Sequence, residues 1–188
     1  MLKAIIEEST AAVVAAVSGV DDILDAITGT VKNQVVTVLK STGEISTTGI
    51  ETIASIADGA IKGGGKVGVT LTDTTFNVMG GVVKGASQVG GDLTGAIYGG
   101  AKGIVRGAAE TGGDIGVAAV SAVQGAIKST GEVGANTADA AKAAVGGALA
   151  ATTSIGGDAA EKVRSALLSA AALPRDVIES AIKGSDKK

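Results

Sequence analysis

Three carboxylates, Asp92, Asp114 and Asp158, stand apart by multiples of 22 residues. Carboxylates are candidate acids or bases, but the groups that usually work with them are missing. The chain has no His and no Cys, which removes the commonest general base, the thiolate nucleophile and the commonest zinc ligands. Gly63-Gly64-Gly65-Lys66 lacks the GxxxxGK[ST] spacing of a phosphate-binding loop and a buried strand before it. No base is present to activate the Ser and Thr hydroxyls. Tyr98, the one tyrosine, is expected to pack or to anchor at an interface. The three acids are therefore expected on a polar helix edge, repeated because the chain repeats. No enzyme activity, cofactor or metal site is expected.

The element that carries these residues is a 22-residue unit in six copies, over residues 37–168. Its clearest line runs Gly59-Ala60-Ile61-Lys62, Gly81-Val82-Val83-Lys84, Gly103-Ile104-Val105-Arg106 and Gly125-Ala126-Ile127-Lys128. Twenty-two is two elevens, and eleven residues make three helical turns at about 3.67 residues per turn. That period predicts an all-α chain: one very long hendecad-repeat amphipathic helix in a homo-oligomeric bundle, barrel or tube. A hinge or break is expected at Gly63-Gly64-Gly65. Residues 1–36 read as an N-terminal helical segment with a break near Gly19. Residues 169–188 read as a short helix after Pro174 followed by a polar tail.

Laid on a helix, about five of the eleven columns are apolar, a wider stripe than a two-stranded coiled coil needs. One apolar column alternates small and larger residues: Gly68, Met79, Gly90, Ala101, Gly112, Val123, Gly134, Val145, Gly156. This suits holes and knobs between closely approaching helices. Gly91, Gly95, Gly99, Gly103 and Gly107, four residues apart, form a second small-residue series. On the opposite face one column alternates charge through Lys40, Glu51, Lys62, Asp73, Lys84, Arg106, Lys128 and Asp139. Its plain reading is a solvated face. A sharper one is pairing between neighbouring helices staggered by one hendecad.

Composition narrows the class. Gly numbers 30 of 188 residues, aromatics make up 1%, and the hydrophobic 45% is mostly Ala and Val. Such side chains gain little per residue in a compact core, so an ordinary globular domain is not expected. A helical glycine costs about 0.8–1 kcal/mol relative to Ala, so an isolated helix of this composition is unstable in water. Partner helices, a lipid surface or another fold must offset that cost. The net charge of -3, with signs interspersed, gives nucleic acid no basic stripe. Glu7 and Glu8 precede the apolar run from Ala11 to Val17, where a signal peptide wants positive charge. The longest uncharged run, residues 143–157, is too short for a membrane-spanning helix of ~20 residues. A cytoplasmic or membrane-associated location is expected.

The segments Gly81-Val82-Val83-Lys84-Gly85-Ala86 and Ala101-Lys102-Gly103-Ile104-Val105-Arg106-Gly107 resemble the repeats of the synucleins and perilipins. That resemblance implies a helix lying on lipid with its weakly apolar face in the acyl boundary. The charged column here alternates sign where the synuclein motif is Lys-rich, which shifts the implied target to neutral lipid or packing defects. The chain also resembles hendecad coiled-coil proteins, and a lipid surface gains nothing from alternating Gly with Val. The leading expectation is therefore a structural protein that assembles with copies of itself. A lipid-coating helix is the alternative, and a β-solenoid with 22-residue coils is a minor one.

Overall fold

The computed structural model of the protein describes residues 5, 7, 20–42 and 47–185. The expected break near Gly19 and most of the expected N-terminal helix lie outside the described residues. Among the described residues from Val20 on, eight helices follow one another: α1 (Val20–Thr42), α2 (Thr47–Lys66), α3 (Leu71–Gln88), α4 (Leu93–Glu110), α5 (Ile115–Glu132), α6 (Thr137–Ile155), α7 (Ala159–Ser169) and α8 (Arg175–Ser185). The chain is all-α, and no strand occurs among the described residues, which overturns the β-solenoid alternative. The repeat is one helix plus one turn. The expected long rod is folded back on itself every 22 residues rather than running on.

The turns explain why. The helix α3 ends where Gly90 takes φ +63°, a left-handed conformation that disfavours any side chain with a Cβ. Gly90 N–H donates to the Ser87 carbonyl at 3.2 Å and Gly91 N–H donates to the Ala86 carbonyl at 3.1 Å. This paired closure is the Schellman motif, and it satisfies carbonyls that a helix end leaves open. Two residues later Asp92 caps α4, its Oδ1 accepting from Gly95 N–H at 3.0 Å. The same turn recurs at residues 67–70, 111–114 and 133–136, with Thr70, Asp114 and Asn136 as caps. Gly63-Gly64-Gly65, where a break was expected, stays inside α2. These three keep negative φ, and the chain turns at Gly68, φ +79°. Pro174 immediately precedes α8, its carbonyl accepting from Val177 and Ile178 N–H.

The helices lie in two layers, α1, α3, α5 and α7 in one and α2, α4, α6 and α8 in the other. Consecutive helices are antiparallel across their short turns; Gly64 at the end of α2 meets Thr74 at the start of α3. Within a layer the helices run parallel. Thr28 and Val31 of α1 meet Gly81 of α3, and Lys32 and Val35 meet Gly85. In the other layer Ile50, Ala54 and Asp58 of α2 meet Gly99, Gly103 and Gly107 of α4. The core between the layers is small-residue and continuous, with Ile27, Ile53, Ile56, Met79, Ile97, Ile104, Leu167 and Ile178 its largest fully buried side chains among the described residues. The α1 helix crosses the sequence boundary drawn at residues 36/37 without interruption.

Candidate functional site

The column of alternating small and larger residues divides cleanly. Gly68, Gly90, Gly112, Gly134 and Gly156 are turn residues with φ of +79°, +63°, +73°, +73° and +78°. Met79, Ala101, Val123 and Val145 are fully buried at mid-helix in α3, α4, α5 and α6. The glycines of this column are therefore not holes in a helix face; they are where the helix stops. The four-spaced series divides too. Gly91 belongs to a turn and Gly95 to the first turn of α4, where it donates to the cap. Gly99, Gly103 and Gly107 make the close approach expected of them, onto α2 of the same chain. A Cβ on Gly99 would lie 2.7 Å from the Ile50 carbonyl oxygen, and one on Gly103 would overlap the Ala54 carbonyl.

The charged column follows the helix ends. Glu51, Asp73 and Asp139 lie near helix starts, and Lys40, Lys62, Lys84, Arg106 and Lys128 lie towards helix ends. Each sign thus faces the helix-dipole end that favours it. Lys40, Lys84 and Asp139 are exposed. Asp73 accepts from the Thr70 hydroxyl at 2.7 Å, and Lys128 Nζ sits 5.3 Å from the centre of the Phe76 ring. Charge pairs join α2 to α4, but each takes one residue from outside the column, Lys102 or Glu110. Glu51 accepts from Lys102 at 2.5 Å, and Glu110 accepts from Lys62.

At the centre of that α2–α4 joint stands Asp58, which the column did not include. Its side chain is 0% exposed. Arg106 Nε donates to Oδ2 at 3.2 Å, and Lys62 Nζ lies at ion-pair distance, 3.1 Å, from Oδ1. The niche exists because Gly107 has no side chain; a Cβ there would sit 3.0 Å from Asp58 Oδ1. Burial pushes the Asp58 carboxyl above the ordinary range, against the pull of Lys62 and Arg106. Burial works to lower the Lys62 ammonium, but its bonds to Glu110 and Asp58 outweigh this and hold it above its ordinary value. The signal in the sequence was an acid inside the apolar run of α2, one turn before a lysine. The arrangement ties two helices together in one register.

Two of the hollows on the surface lie near residues singled out in the sequence. One, of about 690 Å³, runs along α6 and is lined by residues of α4, α6, α7 and α8, Tyr98 among them. The other, of about 860 Å³, lies over α5 and α7 beside Asp114, Asp158 and Glu161. Asp114 caps α5 through Gly116 and Val117 N–H, whereas Asp158 makes no side-chain cap bond to α7. Among the described residues no acidic group is arranged to hold a metal ion, and no helix is long and apolar enough to cross a membrane.

No family model and no curated protein matches the sequence. Among solved structures the chain is similar to the crystal structure of a de novo designed helical repeat protein, DHR7. The two share 15% identity with a TM-score of 0.50, over 98% of this chain and 95% of that one. At this identity the likeness is one of fold: an amphipathic helical repeat.

Proposed function

We propose that the chain is a non-enzymatic structural protein, a helical-repeat scaffold whose working unit is the folded single chain. The observation that supports this most directly is the glycine stripe Gly99, Gly103 and Gly107 seated on α2 of the same molecule. On this reading the pairing of like helices takes place between every second helix of one chain, within a layer. The Ala, Val and Gly surface that would have joined separate chains in a tube or filament is taken up in that packing. Association between chains is left Val117 and Leu168, the large apolar side chains exposed among the described residues. The lipid-coat reading draws less support. The apolar faces of the helices point inward, and the outer faces carry both signs of charge.

Sedimentation beside circular dichroism, with and without liposomes, tests the proposal. The expected result is a helical monomer in buffer, unchanged by lipid. Helix at high mass in buffer would restore assembly as the primary function. Coil that turns to helix only with vesicles would restore the lipid coat.

A further inference from the structure

The layer α2, α4, α6 breaks its own pattern at one place. Positions 44 residues apart are equivalent in these helices, because one layer uses every second repeat. At the first such position the residues are Asp58, Lys102 and Gly146; at the second they are Lys62, Arg106 and Ala150. Both α2 and α4 are charged at both positions, and α6 has almost no side chain at either. The hollow of about 690 Å³ lies over these two residues. Its volume falls within the roughly 300–1,000 Å³ of small-molecule sites.

The walls have a definite chemistry. Ala143, Leu149 and Ala150 give an apolar floor, and Tyr98 stands beside it. The Tyr98 ring lies over Gly146, its Cε2 at contact distance, 3.4 Å, from the place a Cβ would take, and the Tyr98 backbone is seated against Gly147, where no Cβ fits. Lys142, Arg164 and Asp139 also line it, Lys142 exposed and Arg164 half-buried. We infer that this groove binds a small amphiphilic carboxylate, its apolar body on the α6 floor beside Tyr98 and its head group at Lys142. The site goes beyond a scaffold role and needs no second chain.

Tyr98 supplies the readout. The chain has one Tyr and no Trp, so tyrosine emission reports this groove alone. Decanoate, kept below its micelle-forming concentration, is expected to change Tyr98 emission saturably. Decanol should bind more weakly and decyltrimethylammonium more weakly still. Lys142→Gln should weaken decanoate roughly tenfold, the loss of one charge-assisted contact, and leave decanol unchanged. Ala150→Leu should fill the hollow and abolish the response to decanoate, with helix content by circular dichroism showing that the fold persists. Phosphatidylglycerol vesicles, which present an anion only at a membrane surface, should leave the emission unchanged. The inference is overturned by the absence of a saturable change, by equal responses to the three small amphiphiles, by a response to vesicles alone, or by undiminished decanoate binding in a folded Ala150→Leu protein.

Discussion

At Gly103 the α4 backbone lies directly on the Ala54 carbonyl, and no Cβ fits. At Gly29, inside α1, nothing lies within 4 Å of the place a Cβ would take. The same substitution should therefore change stability in opposite directions. Gly103→Ala is expected to cost about 1–3 kcal/mol by overpacking, and Gly29→Ala to gain up to ~1 kcal/mol from helix propensity. Urea unfolding of both variants beside the parent checks the pair. Asp58 allows a second test. Its pKa is raised, so the stability tied to its titration is present at low pH and lost as pH rises through the raised value. Asp58→Asn does not titrate. It should gain on the parent as pH climbs above 3.8, the ordinary aspartate value, and hold level beyond the folded-state pKa. Urea midpoints across the acid range measure this, and a gap moving the other way would mean that Lys62 and Arg106 outweigh burial.

The turn is the element that decides between a rod and a layered fold. Asp92 caps α4, and the Gly95 N–H, with help from Thr94, holds its carboxyl below the ordinary range. A lowered pKa means stability that is present above the unfolded value and lost as pH falls through the folded one. Asp92→Ala is expected to cost about 1 kcal/mol at neutral pH, and that cost should shrink in acid as the parent's carboxyl protonates. Thermal melts at neutral and acid pH check both parts. A glycine with Asp, Asn or Thr two residues later was present in the sequence, at Gly90-Gly91-Asp92 and Gly112-Gly113-Asp114 for instance. It is legible as a helix stop followed by a cap. The eleven-residue period hid it, because Gly90 and buried Met79 fall in one angular column when the helix is drawn without a break. The columns put buried Met79, Ala101, Val123 and Val145 at one angular position with the turn glycines. They could not show that helix α4's partner would be α2 of the same chain, since a parallel neighbour two repeats away leaves no mark on local periodicity. Asp58 was hidden for a related reason: its cations come from one turn along α2 and from α4, 48 residues on.

At the scale of the molecule, the two-layer order makes the structural unit 44 residues long, although the sequence unit is 22. Duplicating residues 71–114 adds one helix to each layer and keeps every later helix in its own. Duplicating residues 71–92 adds one helix and moves all later ones to the opposite layer, setting α4's glycine stripe against α3 rather than α2. The longer insertion is expected to fold with stability equal to or above the parent's, as nearest-neighbour repeat arrays do. The shorter one should lose cooperativity. Urea unfolding followed by circular dichroism separates the two outcomes.

The same order has a consequence for the integrity of the chain. A turn such as residues 111–114 joins α4 to α5, but the protein on either side is also held by α3 against α5 and by α4 against α6. The peptide link at an inner turn is therefore mechanically redundant. A single cut there divides the backbone and leaves two interlocked halves, so fragments made at a turn carry complementary surfaces and should recombine in solution as a split protein does.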